Sequence, residues 1–401
     1  MNFKTSSLAS LSSLITKGTT PTTLGYAHSD SGIPFLRVQN IFSGQVNFKE
    51  DTLFIDSNTQ TALKRSQIQG GDVLVTIAGT IGRTGVVPHD APEMNCNQAV
   101  AIVRPTQEIE RNYLRHWLES QDARSQMLGS TVTGTISNLS LSQLGELRVP
   151  LPPLEEQRRI AAILDQAETL RTQRRTALAL LDSLTQSLFL DMFGDALASD
   201  ERTPMGKLVS EFRYGTSEKS GNAGFPTLRI PNVASGSLDL SELKTVSVEA
   251  AEFERLRLLC GDLLFVRTNG NPDYVGRCAV FKPTDVENSG FDSSEFIYAS
   301  YLIRARLKGS DISPIVLQHY LSEGEGRRAL RARCKTSAGQ YNINTEGLGA
   351  IPIPRFPLPL QQTFATRIAA IEALKATHRR ALAALDALFA SLQQRAFTGA
   401  L

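Results

Sequence analysis

Apolar side chains recur at spacings of three and four along two long stretches of the chain and alternate in short runs elsewhere. Residues 154–193 and 358–397 contain no Gly or Pro apart from Pro359 and are dominated by Ala, Leu, Arg and Gln. That composition predicts two long helices. Leu170, Ala177, Leu178, Leu181, Leu184 and Leu188 form an apolar stripe on the first, and Leu374, Ala381, Leu382, Leu385, Leu388 and Leu392 form one on the second. A helix with such a stripe buries it against a neighbour. At 1.5 Å per residue, about 40 residues span roughly 60 Å, so the two helices are expected to pair with each other rather than each cover its own block.

Ahead of each helix lies a block with a different pattern. Short runs such as VLVTIA, GVVP and AVAIV in the first, and LLFV, CAVF and YLIRARL in the second, are separated by Gly, Asn and Asp, which predicts sheet. Residues 110–128 and 314–333 each predict one amphipathic helix. The fold class is α+β.

The two halves are copies of one plan. A shift of 204 residues aligns Asn138 with Asn342 and runs without a gap to Phe193 and Phe397, with roughly twenty identities over these 56 positions. Upstream the spacing drifts but the order persists. IPFLRVQN answers FPTLRIPN, GDVLV answers GDLLF, and IGRTGVV answers VGRCAVF. Residues 1–153 and 195–356 are therefore expected to be two related domains, and 154–194 and 357–401 two long helices. If a pseudo-dyad relates the repeats, the helices run antiparallel, with the blocks at opposite ends of a spacer. The proline clusters LRVPLPPLEEQ and IPIPRFPLPLQQ end the last strand of each block and hand over to a helix. Glu155 and Glu156 suit the positive end of the first helix. A P-x-x-P ligand is the competing reading, but recurrence ahead of both helices is explained by the fold.

Composition adds constraints. Of the 401 residues 41% are apolar and 20% charged, an ordinary soluble balance with room for two or three cores. Cys96, Cys260, Cys278 and Cys334 show no paired spacing, so neither a zinc site nor a disulfide framework is expected, and a reducing cytoplasm fits. The N-terminus lacks an export signal, and no run reaches the ~18 apolar residues of a membrane span. Net charge is +2, with 12 basic and 12 acidic side chains over residues 1–154 and 19 and 20 over 194–354. Residues 327–335, RRALRARCK, hold five basic groups and no acid. A nucleic-acid protein of this balance works through small patches or leaves the phosphates to partners.

The order of variable block, proline junction and long helix, given twice, resembles the specificity subunit of type I restriction-modification systems. The resemblance covers essentially the whole chain. It is carried by KGTTPTT, LRVQN with LRIPN, GDVLV with GDLLF, NLSLSQLGELRVPLPPLEEQRRIAAIL, NINTEGLGAIPIP and SLFLDMFGD. FPLPLQQTF departs from the usual second junction. The resemblance implies a non-catalytic subunit without a cofactor. Each block would read one half of a bipartite, asymmetric site on double-stranded DNA. The helices would pair as an antiparallel coiled coil, set the spacing and dock two methyltransferase subunits, to which restriction subunits add.

Base readers are drawn from Arg, Lys, Asn and Gln on loops, and phosphate contacts also use Ser and Thr. In the first block the candidates are Arg37, Gln39 and Asn40, the turn from Thr80 to Arg83, and Thr133, Thr135 and Ser137. In the second they are Arg229 and Asn232, then Arg267, Thr268, Asn269 and Asn271, then Ser337 and Gln340, with Arg277 matching Arg83. Arg327, Arg328 and Arg331 are the phosphate candidates. Each has a bland alternative as a solvated or turn-capping residue.

Two enzyme readings compete. NPDY at 271–274 is similar to the N-P-P-Y motif of amino-methyltransferases, but departs at its third position, and no G-x-G-x-x-G loop follows a predicted strand. AGTIGRTG lacks the Lys-Ser/Thr of a P-loop. His116 and His319 fall at similar places on the block helices and read as packing residues, with no metal or triad constellation. A coiled-coil scaffold that never touches DNA would have no need of variable ends.

Overall fold

The computed structural model describes residues 3–42, 44–128, 138–221, 223–337 and 339–401. The chain divides into two compact units, Met1–Ala177 with His378–Leu401, and Leu178–Thr377. Both are built on one sheet order. In the first unit Ser12–Lys17, Val100–Pro105, Val73–Thr76 and Thr84–Val86 lie side by side, all antiparallel. In the second the order is Val209–Tyr214, Leu302–Leu307, Leu263–Val266 and Cys278–Val280, again antiparallel.

Alternation along these strands explains why each sheet is buried on both faces. Val73, Val75, Ala101 and Val103 face Tyr113, Leu114 and Trp117, while Leu74, Val100 and Ile102 face Leu36 and Ile41. Leu263, Phe265, Ile303 and Ala305 face Val316, Leu317 and Tyr320, while Leu264, Val266 and Leu302 face Leu228 and Phe296. A small mixed sheet joins each unit: Leu53–Ile55, Ile33–Leu36 and Asn95–Cys96 in the first, Lys244–Val246, Phe225–Leu228 and Ile297–Tyr298 in the second.

Several paired sequence signatures are explained by buried polar groups that must be satisfied. Asp72 of GDVLV binds the Arg104 guanidinium at 2.8 and 2.9 Å and accepts from the Gln69 amide. Asp262 of GDLLF binds Arg306 at 2.8 and 2.7 Å and accepts from the Leu259 amide. Gly18 and Gly215 follow the first sheet strand of each unit, where a Cβ would lie 1.9 Å from the Cys96 carbonyl oxygen and 2.2 Å from that of Tyr298. Only glycine fits so close a backbone approach.

The junctions form as the prolines predict. Arg148–Pro150 pairs with Thr5–Ser7, and the helix Leu154–Ala198 begins four residues after Pro150. Pro352–Pro354 pairs with Arg202–Pro204, and Leu358–Thr398 follows. Gln157 donates to the Glu108 and Pro152 carbonyls at 3.1 and 2.8 Å and accepts from the Glu110 amide. Gln361 donates to the Asp311 and Phe356 carbonyls at 3.1 and 2.9 Å and accepts from the Ser313 amide. These buried glutamines lock each block to its helix.

Within the first unit, residues of both long helices meet in opposite sense. The Arg159 side chain donates to the Leu401 carbonyl oxygen, Arg171 binds Asp386 at 2.6 Å, and Arg174 reaches His378. Within the second unit Lys375 binds Asp182 at 2.7 Å, and the Phe193 and Phe364 rings lie 5.4 Å apart. Against the desolvation of a nearly buried ammonium, Asp182 and Glu372 hold the Lys375 pKa above its usual value.

Two expectations are corrected. The expected apolar stripes are only partly the inward ones: Leu382, Leu385 and Leu392 lie inward, but Leu170, Leu184, Leu374 and Leu388 are 40, 50, 52 and 49% exposed. The inward positions of the second helix are Gln361, Phe364, Ile368, Ile371, Lys375, His378, Leu382, Leu385, Phe389, Leu392 and Ala396, an unbroken three-four alternation. Gln361, Lys375 and His378 occupy part of this seam, Lys375 through its long aliphatic stem, so leucine identity alone misplaces it. The single helix expected in each block is also two. Arg111–Leu118 and Gln121–Leu128 are separated where the Ser120 hydroxyl caps the Ala123 amide. Pro314–Ser322 and Gly324–Ala332 are separated at extended Glu323, and Gly324 takes φ of +59°.

Candidate nucleic-acid interface

In the second unit the fold gathers separate sequence candidates into one patch. Thr268–Asn269 pairs with Gln340–Asn342, which pairs in turn with Lys335–Ser337, and the Thr268 hydroxyl donates to the Gln340 side chain at 2.9 Å. Arg267 lies over the Tyr214 ring at 4.7 Å and donates to the Ser300 carbonyl. Arg277 lies over the exposed Tyr274 ring at 4.5 Å and donates to the Asp273 and Ala234 carbonyls. Arg331 pairs with Asp273 at 3.0 Å, both half exposed. Arg328 is exposed on the same helix.

Arg327 has a different setting. Its guanidinium is partly buried and donates to the backbone carbonyls of Val275 and Asp273 at 2.9 Å each and of Pro272 at 3.4 Å. Burial, with the neighbouring charges of Arg277 and Arg331 added, lowers its pKa from the usual value. Arg327, expected from sequence as a phosphate ligand, thus has its guanidinium hydrogen-bonded to the loop's own carbonyls.

The paired LRVQN and LRIPN segments also carry a structural task. Asn40 is buried; its side-chain oxygen accepts from the Arg37 amide at 2.8 Å and its nitrogen donates to Asp51 and Thr52. Asn232 repeats this, accepting from the Arg229 amide at 2.8 Å and donating to the Asp239 carbonyl at 2.7 Å. Arg37 binds Asp51, and Arg229 donates to the Glu242 carbonyl at 2.9 Å. These four residues close their loops on themselves. Gln39 is exposed but bonds to the Asp51 carboxylate at 3.0 Å.

The first unit offers a shorter element at the matched place. Thr80 and Arg83 are exposed on the turn after Val73–Thr76, and the Arg83 amide donates to the Thr76 hydroxyl at 2.9 Å. Asn138 bridges to Ala78 beside this turn. Thr133, Thr135 and Ser137 lie outside the described residues, as does the side chain of Ser337.

Sequence reasoning passed over Tyr274 and Asp273 as parts of this patch. Their signal was NPDY, a motif it weighed only as a base grip. Here the Tyr274 ring face is covered by Arg277, and the Pro272 and Asp273 carbonyls face Arg327, an arrangement that braces a loop rather than opening a pocket. Among the described residues no cluster of His, Cys, Asp and Glu is arranged to hold a metal ion, and no helix is long and apolar enough to cross a membrane.

Comparison with known proteins agrees with this layout. Residues 1–179 match the family model described as the type I restriction modification DNA specificity domain. The chain is 25% identical over 397 residues to the EcoKI specificity subunit of Escherichia coli K12, covering 93% of this chain and 83% of that protein. It is 24% identical to the StySPI specificity subunit of Salmonella potsdam over the same shares. In fold it is similar to the crystal structure of a type I specificity subunit from M. genitalium, with a TM-score of 0.57 and 14% identity across 99% of this chain and 96% of that one. A chain from a structural study of type I restriction-modification assembly gives a TM-score of 0.54 at 19% identity, covering 100% and 98%. Residues 1–179 thus match a type I restriction modification DNA specificity domain, and nearly the whole chain is similar to type I restriction enzyme specificity subunits.

Proposed function

We propose that this chain is the DNA-reading subunit of a type I restriction-modification complex, with each unit contacting one half of a bipartite, asymmetric site on double-stranded DNA. The observation that carries the reading is the duplication itself. One sheet order, one buried glutamine lock and one Asp–Arg pair are built twice, while the loops beside Thr76 and Val266 differ in length and chemistry. Two unlike readers on one scaffold suit a target whose halves are unlike.

The functional division places readers at 1–153 and 195–356 and spacer helices at 154–194 and 357–401. The helices act as an antiparallel coiled coil that sets the spacing; the three-four alternation of the second helix and the opposite-sense contacts in each unit support this. Matched leucines left on the outer faces, Leu170 with Leu374 and Leu184 with Leu388, suit the docking of two methyltransferase subunits, with restriction subunits joining through the complex. Thr80, Arg83, Thr268, Asn269, Asn271, Arg328, Arg331 and Gln340 are the DNA-facing residues we assign. The methyltransferase partners carry the chemistry, and the cytoplasm is the setting.

The test is a seven-residue insertion in each long helix between the two units, in the reconstituted complex. One added heptad is ~10 Å of helix, about three base pairs of duplex. Methylation mapping should report a longer spacer between unchanged half-sites. Altered half-sites at unchanged spacing would contradict the assignment. Methyl transfer from S-adenosylmethionine by the isolated chain would contradict the division of labour.

A further inference from the structure

The loop between Val266 and Cys278 differs in length and chemistry from its counterpart in the first unit. From GDLLF to VGRC, Gly261 to Gly276 spans fifteen residue steps, whereas Gly71 to Gly82 in the first unit spans eleven, so the second unit carries four extra residues here. A longer loop costs order unless something fixes it. Here three guanidiniums converge on it, two of them on its backbone. Arg327 holds the carbonyls of Pro272, Asp273 and Val275; Arg277 also holds that of Asp273; Arg331 pairs with the Asp273 carboxylate. In the first unit Arg124, which matches Arg327 on its helix, is exposed.

The loop's two asparagines are oriented by their own turns. The Asn269 side-chain oxygen accepts from the Asn271 amide at 2.9 Å, and the Asn271 side-chain oxygen accepts from the Asp273 amide at 2.9 Å. Backbone N–H donors therefore fix which side-chain atom is oxygen. Each oxygen is engaged by a backbone amide, so the two NH₂ donors are the main groups these side chains have to offer. An asparagine with both groups fully available pairs with adenine through N6 and N7; one that offers chiefly donors suits edges that present acceptors, namely guanine O6 and N7 or adenine N7.

We infer that the braced loop 267–277 is the base-reading element for the second half-site, that Asn269 and Asn271 use it to donate to the acceptor edge of purines in the major groove, and that Arg327 is a positioning residue that holds its shape. This rests on the reading that each unit contacts DNA.

The experiment uses the complex of the full chain with its methyltransferase partner. Methylation mapping and duplex binding over a range of salt compare wild type with Asn271→Asp, Arg327→Gln and Arg327→Lys. Asn271→Asp places an acceptor where a donor stood and should lower methylation of the original motif about tenfold or more, with the loss confined to a purine of the second half-site. Arg327→Gln should relax the second half-site, leave the first unchanged and leave the salt slope unchanged, because no phosphate contact is lost. Arg327→Lys, which keeps donors for the carbonyls, should recover part of the selectivity. A thermal melt of each variant separates relaxed reading from unfolding. A reduced salt slope with both half-sites intact would make Arg327 a phosphate ligand and overturn its positioning role. If wild type reads a bipartite site and Asn271→Asp leaves the second half unchanged, the loop assignment fails. If wild type binds no DNA at all, the broader reading fails first.

Discussion

The two units share a backbone plan but fasten their blocks to the long helices with different emphasis, the first adding a buried charge cluster to its aromatic contacts. In the first unit the buried Arg115 side chain reaches Asp165 at 2.9 Å and Glu168 at 2.7 Å on the long helix, and His116 meets the same Asp165 oxygen at 2.7 Å. Burial works against ionisation of Asp165, yet His116 and Arg115 hold its carboxyl below the usual range. In the second unit the corresponding contact is aromatic. Phe189, Phe193, Phe356 and Phe364 pack edge to face, and His319 stands against Phe364 at 5.2 Å. What the copies share is therefore what the backbone demands, namely glutamine locks, Asp–Arg pairs and capping asparagines. Packing that needs only to fill space or balance charge has diverged.

That contrast can be broken at several strengths. The largest effect is expected from Phe193→Ala, which removes a ring that is 1% exposed from the aromatic cluster and should cost about 3–5 kcal/mol. Hydrogen exchange should show the loss in residues 178–377 and little change in the first unit. Arg115→Ala leaves three carboxylates, Glu119, Asp165 and Glu168, without their shared cation and should cost about 3 kcal/mol in the first unit. Adding Asp165→Asn and Glu168→Gln should recover much of it, measured by denaturant melts; no recovery would mean the arginine acts by packing alone.

Acid should find the second unit first. Burial lowers the His319 pKa to about 4 from an ordinary value of 6.5, so the unfolded chain takes up this proton before the folded chain does. Stability is fully present above pH 6.5 and falls as pH drops from there to about 4. The loss is on the order of 3 kcal/mol. His319→Phe should flatten melting temperature against pH across that window. The smallest effect tests what the copies share: Gln157→Leu and Gln361→Leu each strand buried backbone groups and should cost about 1–3 kcal/mol, by similar amounts in the two units. Markedly unequal losses would show that the matched locks carry unequal loads.

The repeat, the junctions and the long helices were legible because they depend on residue types with strong local preferences: prolines that stop strands, and Ala, Leu and Gln that extend helices. The seam was not. Lys375 and His378 lie inward while Leu374 lies outward, and a pattern of apolar letters cannot see an ion pair with Asp182. The candidate site was legible as segments but not as roles. Asn40 and Asn271 are the same letter in similar loops, yet one is buried and bonded on both side-chain atoms while the other is exposed, with only its oxygen engaged within the loop. Only the partners in space separate a cap from a proposed reader, as they separate the carbonyl-bound Arg327 from the exposed Arg328.

The central claim is that one chain carries two unlike readers. Its most direct test is methylation mapping of DNA modified by this chain together with its methyltransferase partner. The account predicts a single asymmetric motif of two short specified halves separated by a fixed run of unspecified bases. A continuous motif, or one whose two halves are identical, would contradict it.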